Sequence, residues 1–147
     1  MAHDEEFSQW YSANITSEFF ASWELLTKGG AHVTRGSRAF GLNTDPPREL
    51  WPNCIELVSV LDEIRRRSGS PLYLTSVYRS AAYNKAIKGA PKSTHMEFMA
   101  ADVTSALTPR KIHTIADTLR KEKLFKGGLG HYRTFTHIDT RGRNVDF

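Results

Sequence analysis

The chain has one cysteine, Cys54, in 147 residues. That excludes an internal disulfide framework and a thiolate-rich zinc centre, so any metal would have to be held by histidine and carboxylate. No apolar run approaches membrane-spanning length. The opening residues, MAHDEEFSQWYSAN, are acidic and lack the basic and apolar regions of a secretory signal. Synthesis in the cytoplasm without a signal peptide is therefore expected. There is no low-complexity block and no repeat at a solenoid period. Basic residues are scattered and not interleaved with aromatics, so nucleic acid is not expected as a partner, while the net charge of +4 suits some anionic one.

What is present is enough apolar residue, 39% of the chain, to bury one core, and we read residues 1–147 as a single domain with a flexible lead-in over 1–15. Residues 15–45 read as a short amphipathic helix (Phe19, Phe20, Trp23, Leu25, Leu26) followed by loop. After Pro46 and Pro47, the stripe Leu50, Cys54, Leu57, Val58, Leu61, Ile64 predicts a helix that stops near Gly69. Cys54 falls on its apolar side, as a core residue. Residues 72–78 predict a strand, 80–88 a short helix ended by Gly89, and 100–103 a buried strand. Thr108 and Pro109 open a further helix with Ile112, Ile115, Ala116 and Leu119 on one face. Gly127, Gly128 and Gly130 then break the chain before a last strand over 132–140. This order predicts an α+β domain: a small, mostly antiparallel sheet with flanking helices.

The last strand carries the first chemical signal. Side chains alternate faces, so His137, Asp139 and Arg141 share one side, with Phe135 before them. Three polar groups in a row are costly to bury unless paired or ligated. A solvent-facing edge strand is one reading. The other is a metal site, because a second His/Asp pair, His95 and Asp102, flanks a strand of its own, and a set of two histidines and one aspartate leaves the fourth tetrahedral position of Zn²⁺ open.

The blocks Ser93-Thr94-His95, Ala100-Ala101-Asp102 and His137-Ile138-Asp139 resemble the S-x-H…A-x-D…H-x-D pattern of the zinc D-alanyl-D-alanine carboxypeptidase-like peptidases, the M15 group. Upstream, Thr75 to Ser80 with Tyr83-Asn84 resembles that family's S-x-Y-R-S…Y-N segment. The likeness covers about residues 46–141, with a weaker extension over 19–28. It implies a hedgehog/DD-peptidase-like fold and one Zn²⁺ held by His95, Asp102 and His137. It also implies that Arg79 holds a substrate carbonyl or carboxylate, with Tyr78 and Ser93 beside the substrate; Ser93 either bonds substrate or caps its loop. The implied activity is hydrolysis of amide bonds in peptidoglycan stem peptides or cross-links, by a monomer that meets the wall after release or injection, as a phage lytic enzyme does. A zinc-containing structural or wall-binding domain without catalysis is the alternative.

Two positions depart from the pattern. Phe98 stands where the family usually has glycine, and is expected to fill part of the cleft. Thr134 stands where many relatives have an acidic general base. The base would then be Asp139, whose other role is support of a ligand, or His131 as proton donor, or Glu97. His3, His32 and His113 match nothing in the pattern and are read as structural or exposed.

Overall fold

A computed structural model describes residues 3–147 of the chain. Five α-helices, α1 (His3–Asn14), α2 (Gly30–Val33), α3 (Cys54–Ser68), α4 (Ala81–Ala86) and α5 (Pro109–Lys121), accompany five strands, β1 (Leu72–Ser76), β2 (Ala100–Ser105), β3 (Gly128–His131), β4 (Thr136–Asp139) and β5 (Val145–Asp146). The strands form one sheet in the order β1-β2-β4-β3-β5. All pairings are antiparallel except β3 with β5. The predicted α+β class with a mostly antiparallel sheet and flanking helices is therefore the observed one.

The two long helices form where the apolar stripes predict. In α3, Leu57, Val58, Leu61 and Ile64 are buried. Gly69 ends the helix in the left-handed conformation (φ 65°), which glycine adopts without steric cost. Its leading turn, Arg48–Asn53, is 3₁₀ and contains Pro52, which has no N–H for an α-helical bond. In α5, the Thr108 hydroxyl accepts the Lys111 N–H, and Ile112, Ala116 and Leu119 face inward. Both helices pack on one face of the sheet, against Ala101, Val103, Leu129 and Ile138. Alternation along the strands then turns Asp102, His137 and Asp139 to the other face.

Three expectations are corrected. The lead-in is a helix: α1 buries Phe7 completely, edge-on to Trp51 at 5.2 Å, and Phe7 alone removes roughly 1.5–3 kcal/mol worth of apolar surface from water. The stretch 15–45 forms only a 3₁₀ turn, Ser22–Leu26, and the single turn α2. The strand expected over 132–140 is only β4, because the glycine-rich approach before it is itself a strand, β3, paired with β4 through a turn closed by the Tyr132 N–H on the Phe135 carbonyl at 2.9 Å. The glycines permit that pairing rather than break the chain. A Cβ at Gly127 would collide with the Asp139 carbonyl, and one at Gly128 with its carboxylate.

Candidate metal centre

The β2–β4 register sets Asp102 directly opposite His137 on the face turned away from α3 and α5. His95 reaches the same point from the 3₁₀ turn Thr94–Glu97, which the Ser93 hydroxyl caps by accepting the His95 N–H. Asp102 Oδ1 lies 3.2 Å from His95 Nε2 and 3.2 Å from His137 Nδ1, and the three donor atoms all lie within 4.8 Å of one another. Tetrahedral Zn²⁺ with ligand bonds near 2.0–2.1 Å requires neighbouring ligand atoms about 3.3 Å apart. The residues present fit that requirement.

Hydrogen-bond logic says why these atoms suit a cation. His95 Nδ1 is 2.6 Å from the Val77 carbonyl, which only accepts, so this nitrogen carries the proton and Nε2 is left bare. His137 Nε2 is 2.7 Å from Asp139 Oδ2, which fixes its proton there and leaves Nδ1 bare. With both rings neutral, Asp102 Oδ1 thus faces two nitrogen lone pairs. Burial holds the His95 imidazole below its ordinary value, in the neutral form a metal requires. For His137, burial pushes the same way, but bonds to Asp102 and Asp139 outweigh it and raise the imidazole. Burial would raise the Asp102 carboxyl; its bonds to His137 and His95 reverse that and keep it ionised.

Each candidate ligand has an outer partner. Arg79 Nη2 donates to Asp102 Oδ2 at 3.0 Å. Fully buried Asp139 accepts from His137, from Gly128 N at 2.8 Å, and from Arg141 through Nε at 2.9 Å and Nη2 at 2.7 Å. Thr94 Oγ1 adds a bond at 3.2 Å. Burial again opposes ionisation of Asp139, but His137 and Arg141 win and hold it well below the carboxylate range. The centre opens on a cleft of about 470 Å³. Arg79, Lys88, Lys92 and Arg141 give the cleft its positive charge, and Tyr132, Phe135 and Phe147 its apolar surface. The Tyr132 and Phe135 rings stack at 4.7 Å, and Phe147 stands edge-on to His137 at 5.3 Å.

Several sequence readings change here. His131 opposes Thr136, not His137, so it lies on the helix side of the sheet with its ring 5.0 Å from that of His113, and it cannot give a proton in the cleft. Tyr78 does not line the cleft; its ring is edge-on to Phe98 at 6.3 Å. Phe98 points into the core and is fully buried, so it fills none of the cleft. Glu97 is exposed outside the cleft, and Thr134 is exposed in the β3–β4 turn. Asp139 has its oxygens committed to six donors, which makes it a positioning residue rather than a free base. Ser93 both caps the His95 turn and lines the cleft. Arg79 also lines it, while bonded to Asp102.

His32 accepts the Asn43 N–H at 2.9 Å and His113 is half-buried, both structural; the His3 side chain lies outside the described residues. Sequence reasoning missed Lys88, Lys92, Tyr132 and Phe147 as cleft residues. An aromatic at each end of the β3–β4 turn, Tyr132 and Phe135, is the sequence signal for Tyr132.

Residues 17–139 match the family model described as Peptidase M15. No curated protein and no solved structure matches the chain significantly.

Proposed function

The chain belongs to the peptidase M15 family, and from that premise we propose that it is a zinc-dependent peptidase acting on amide bonds of peptidoglycan stem peptides or cross-links, of the D,D-carboxypeptidase or endopeptidase type. The observation that carries the zinc reading is Asp102 Oδ1 set 3.2 Å from one ring nitrogen of each of two histidines, an arrangement that suits a shared cation. His95, Asp102 and His137 would hold one Zn²⁺. Bound there, the ion would polarise a peptide carbonyl and activate water.

The chain's own groups have separable tasks. Val77 and Asp139 fix the tautomers of His95 and His137. Arg79 steadies Asp102 and, because a guanidinium has five donors and never loses its charge, retains N–H groups for the oxyanion that develops on the substrate. Lys88 and Lys92 at the cleft attract the free carboxylates that such peptides carry. The net charge of +4 supports action on an anionic wall; we propose that a monomer reaches it after release or injection and has no nucleic-acid partner.

A second reading is favoured by one observation. Among the described residues, Asp102 has the only side-chain carboxylate lining the cleft, and it is a proposed ligand, so no side-chain carboxylate there is free to act as base. A zinc-containing wall-binding domain without catalysis would look the same. Incubating the zinc-loaded protein with isolated sacculi separates the two: peptides released without chelator and not with it support the peptidase, and none released at full zinc occupancy leaves the binding domain.

A further inference from the structure

Phe98 joins the two halves of the metal centre. It follows the Thr94–Glu97 turn that carries His95 and leads into β2, which carries Asp102. Its backbone is left-handed, with φ 58° and ψ 36°, and its N–H closes the turn on the carbonyls of His95 and Thr94. This reversal sets how His95 and Asp102 stand to one another. Residues with a Cβ resist it, at a cost worth about five- to thirtyfold in an equilibrium constant. The other non-glycine residues with positive φ, Lys88 and Lys123, are exposed, whereas Phe98 is 0% exposed.

What holds Phe98 in place is an aromatic cluster reaching into α1. Its ring lies 5.9 Å from Phe7, which is edge-on to Trp51 at 5.2 Å and stacked on Trp10 at 5.8 Å. Phe7 and Trp10 belong to α1, which lies outside the residues 17–139 matched by the family model. No described side chain of α1 lines the cleft, and the contact of Phe7 with Phe98 links α1 to the reversal between His95 and Asp102.

We infer that α1 is a clamp on the metal centre: Phe7, packed on Phe98, keeps the reversal between His95 and Asp102 in the strained conformation that brings the ligands together. Phe7 and Phe98 are then positioning residues. This rests on the zinc reading above and adds to it an element that the family match does not contain.

The test is zinc affinity, measured by competition with a chromophoric chelator, for the wild-type protein, Phe7→Ala and Phe7→Ala/Phe98→Gly, with circular dichroism to confirm folding. Phe7→Ala is expected to bind zinc about five- to thirtyfold more weakly. Adding Phe98→Gly is expected to return most of the loss, because glycine takes the left-handed conformation without help. A merely structural Phe7 would give the opposite, since removing a second ring from the same core only enlarges the defect. If Phe7→Ala does not fold, Phe7→Leu, which keeps most of the volume, serves in its place. Wild-type affinity in the folded Phe7 variant, or no recovery in the double variant, overturns the inference. A wild-type protein that binds no zinc overturns the metal reading, and the clamp with it.

Discussion

Replacing Asp139 with asparagine separates two roles that sequence alone cannot divide. The substitution keeps the shape and removes the charge. Asp139 accepts from His137, Gly128 N and both branches of Arg141, so one face of the new amide must present N–H groups to existing donors. Removing one partner of a fully buried pair costs about 3–5 kcal/mol. Arg141 keeps 19% side-chain exposure and can regain water, which brings the expected loss down to about 2–3 kcal/mol. In a chain of this size that is a fall of about 4–12 °C in Tm. Loss of the partner that orients a histidine ligand lowers metal affinity about 10–100-fold, or about 1.4–2.7 kcal/mol. Thermal melts and chelator competition measure the two effects. Unchanged Tm and zinc affinity with peptide release abolished would refute the reasoning and make Asp139 the general base.

Three further outcomes are expected. His131→Ala should leave zinc affinity and any peptide release within about twofold and stability within about 0.5 kcal/mol, because its ring lies across the sheet from the cleft; a tenfold loss would restore it to the site. Zinc affinity, titrated from pH 8 to pH 5.5, should fall as protons compete for His137, whose imidazole is raised above its ordinary value of about 6.5 by Asp102 and Asp139 against the effect of burial; a flat profile would contradict the ligand assignment. Burial pushes the Cys54 thiol up to about 12, so a thiol reagent at pH 8 should label the native protein no faster than it unfolds. The neutral thiol's contribution to stability is present below the unfolded value of about 8.5 and lost as pH rises toward 12; rapid labelling of folded protein would refute this.

The parts of the molecule that were legible are those whose signals are local. The α3 and α5 stripes come with their own stop and start, Gly69 and Thr108, and both helices lie where the sequence puts them. Each ligand sits in a short block that can be recognised without knowing the fold. What failed at the site depended on the direction of a chain reversal. Treating 132–140 as one strand hid the turn at Tyr132 to Phe135, and with it the pairing that sends His131 to the helix side. For Phe98, bulk beside a ligand suggested the cleft, but a positive φ sends the ring toward Phe7, and the sign of φ at a non-glycine residue is not written in residue type. The Val77 carbonyl that fixes the His95 tautomer is backbone and leaves no trace in sequence at all.

The charge at the centre explains why these unseen contacts matter. Asp102 is paired with Arg79 at 3.0 Å and Asp139 with Arg141 at 2.7 Å, so the two carboxylates are cancelled by two guanidiniums, and His95 is held neutral. Taken with Asp139 and the two arginines, the candidate ligands therefore present no net negative charge with which to attract a divalent cation. Coulomb attraction at such short range would otherwise be a large contribution. Affinity must come instead from donor atoms already held at the right spacing, with their tautomers set and no reorganisation left to make on binding. A site of that kind would be sensitive to small displacements of its supports, so Val77 and Asp139, which contact the two histidines, would matter to metal binding although neither is a candidate ligand. The same cancellation leaves the cleft positive once a cation is held, with Lys88 and Lys92 beside it, which is the field an anionic peptide would meet.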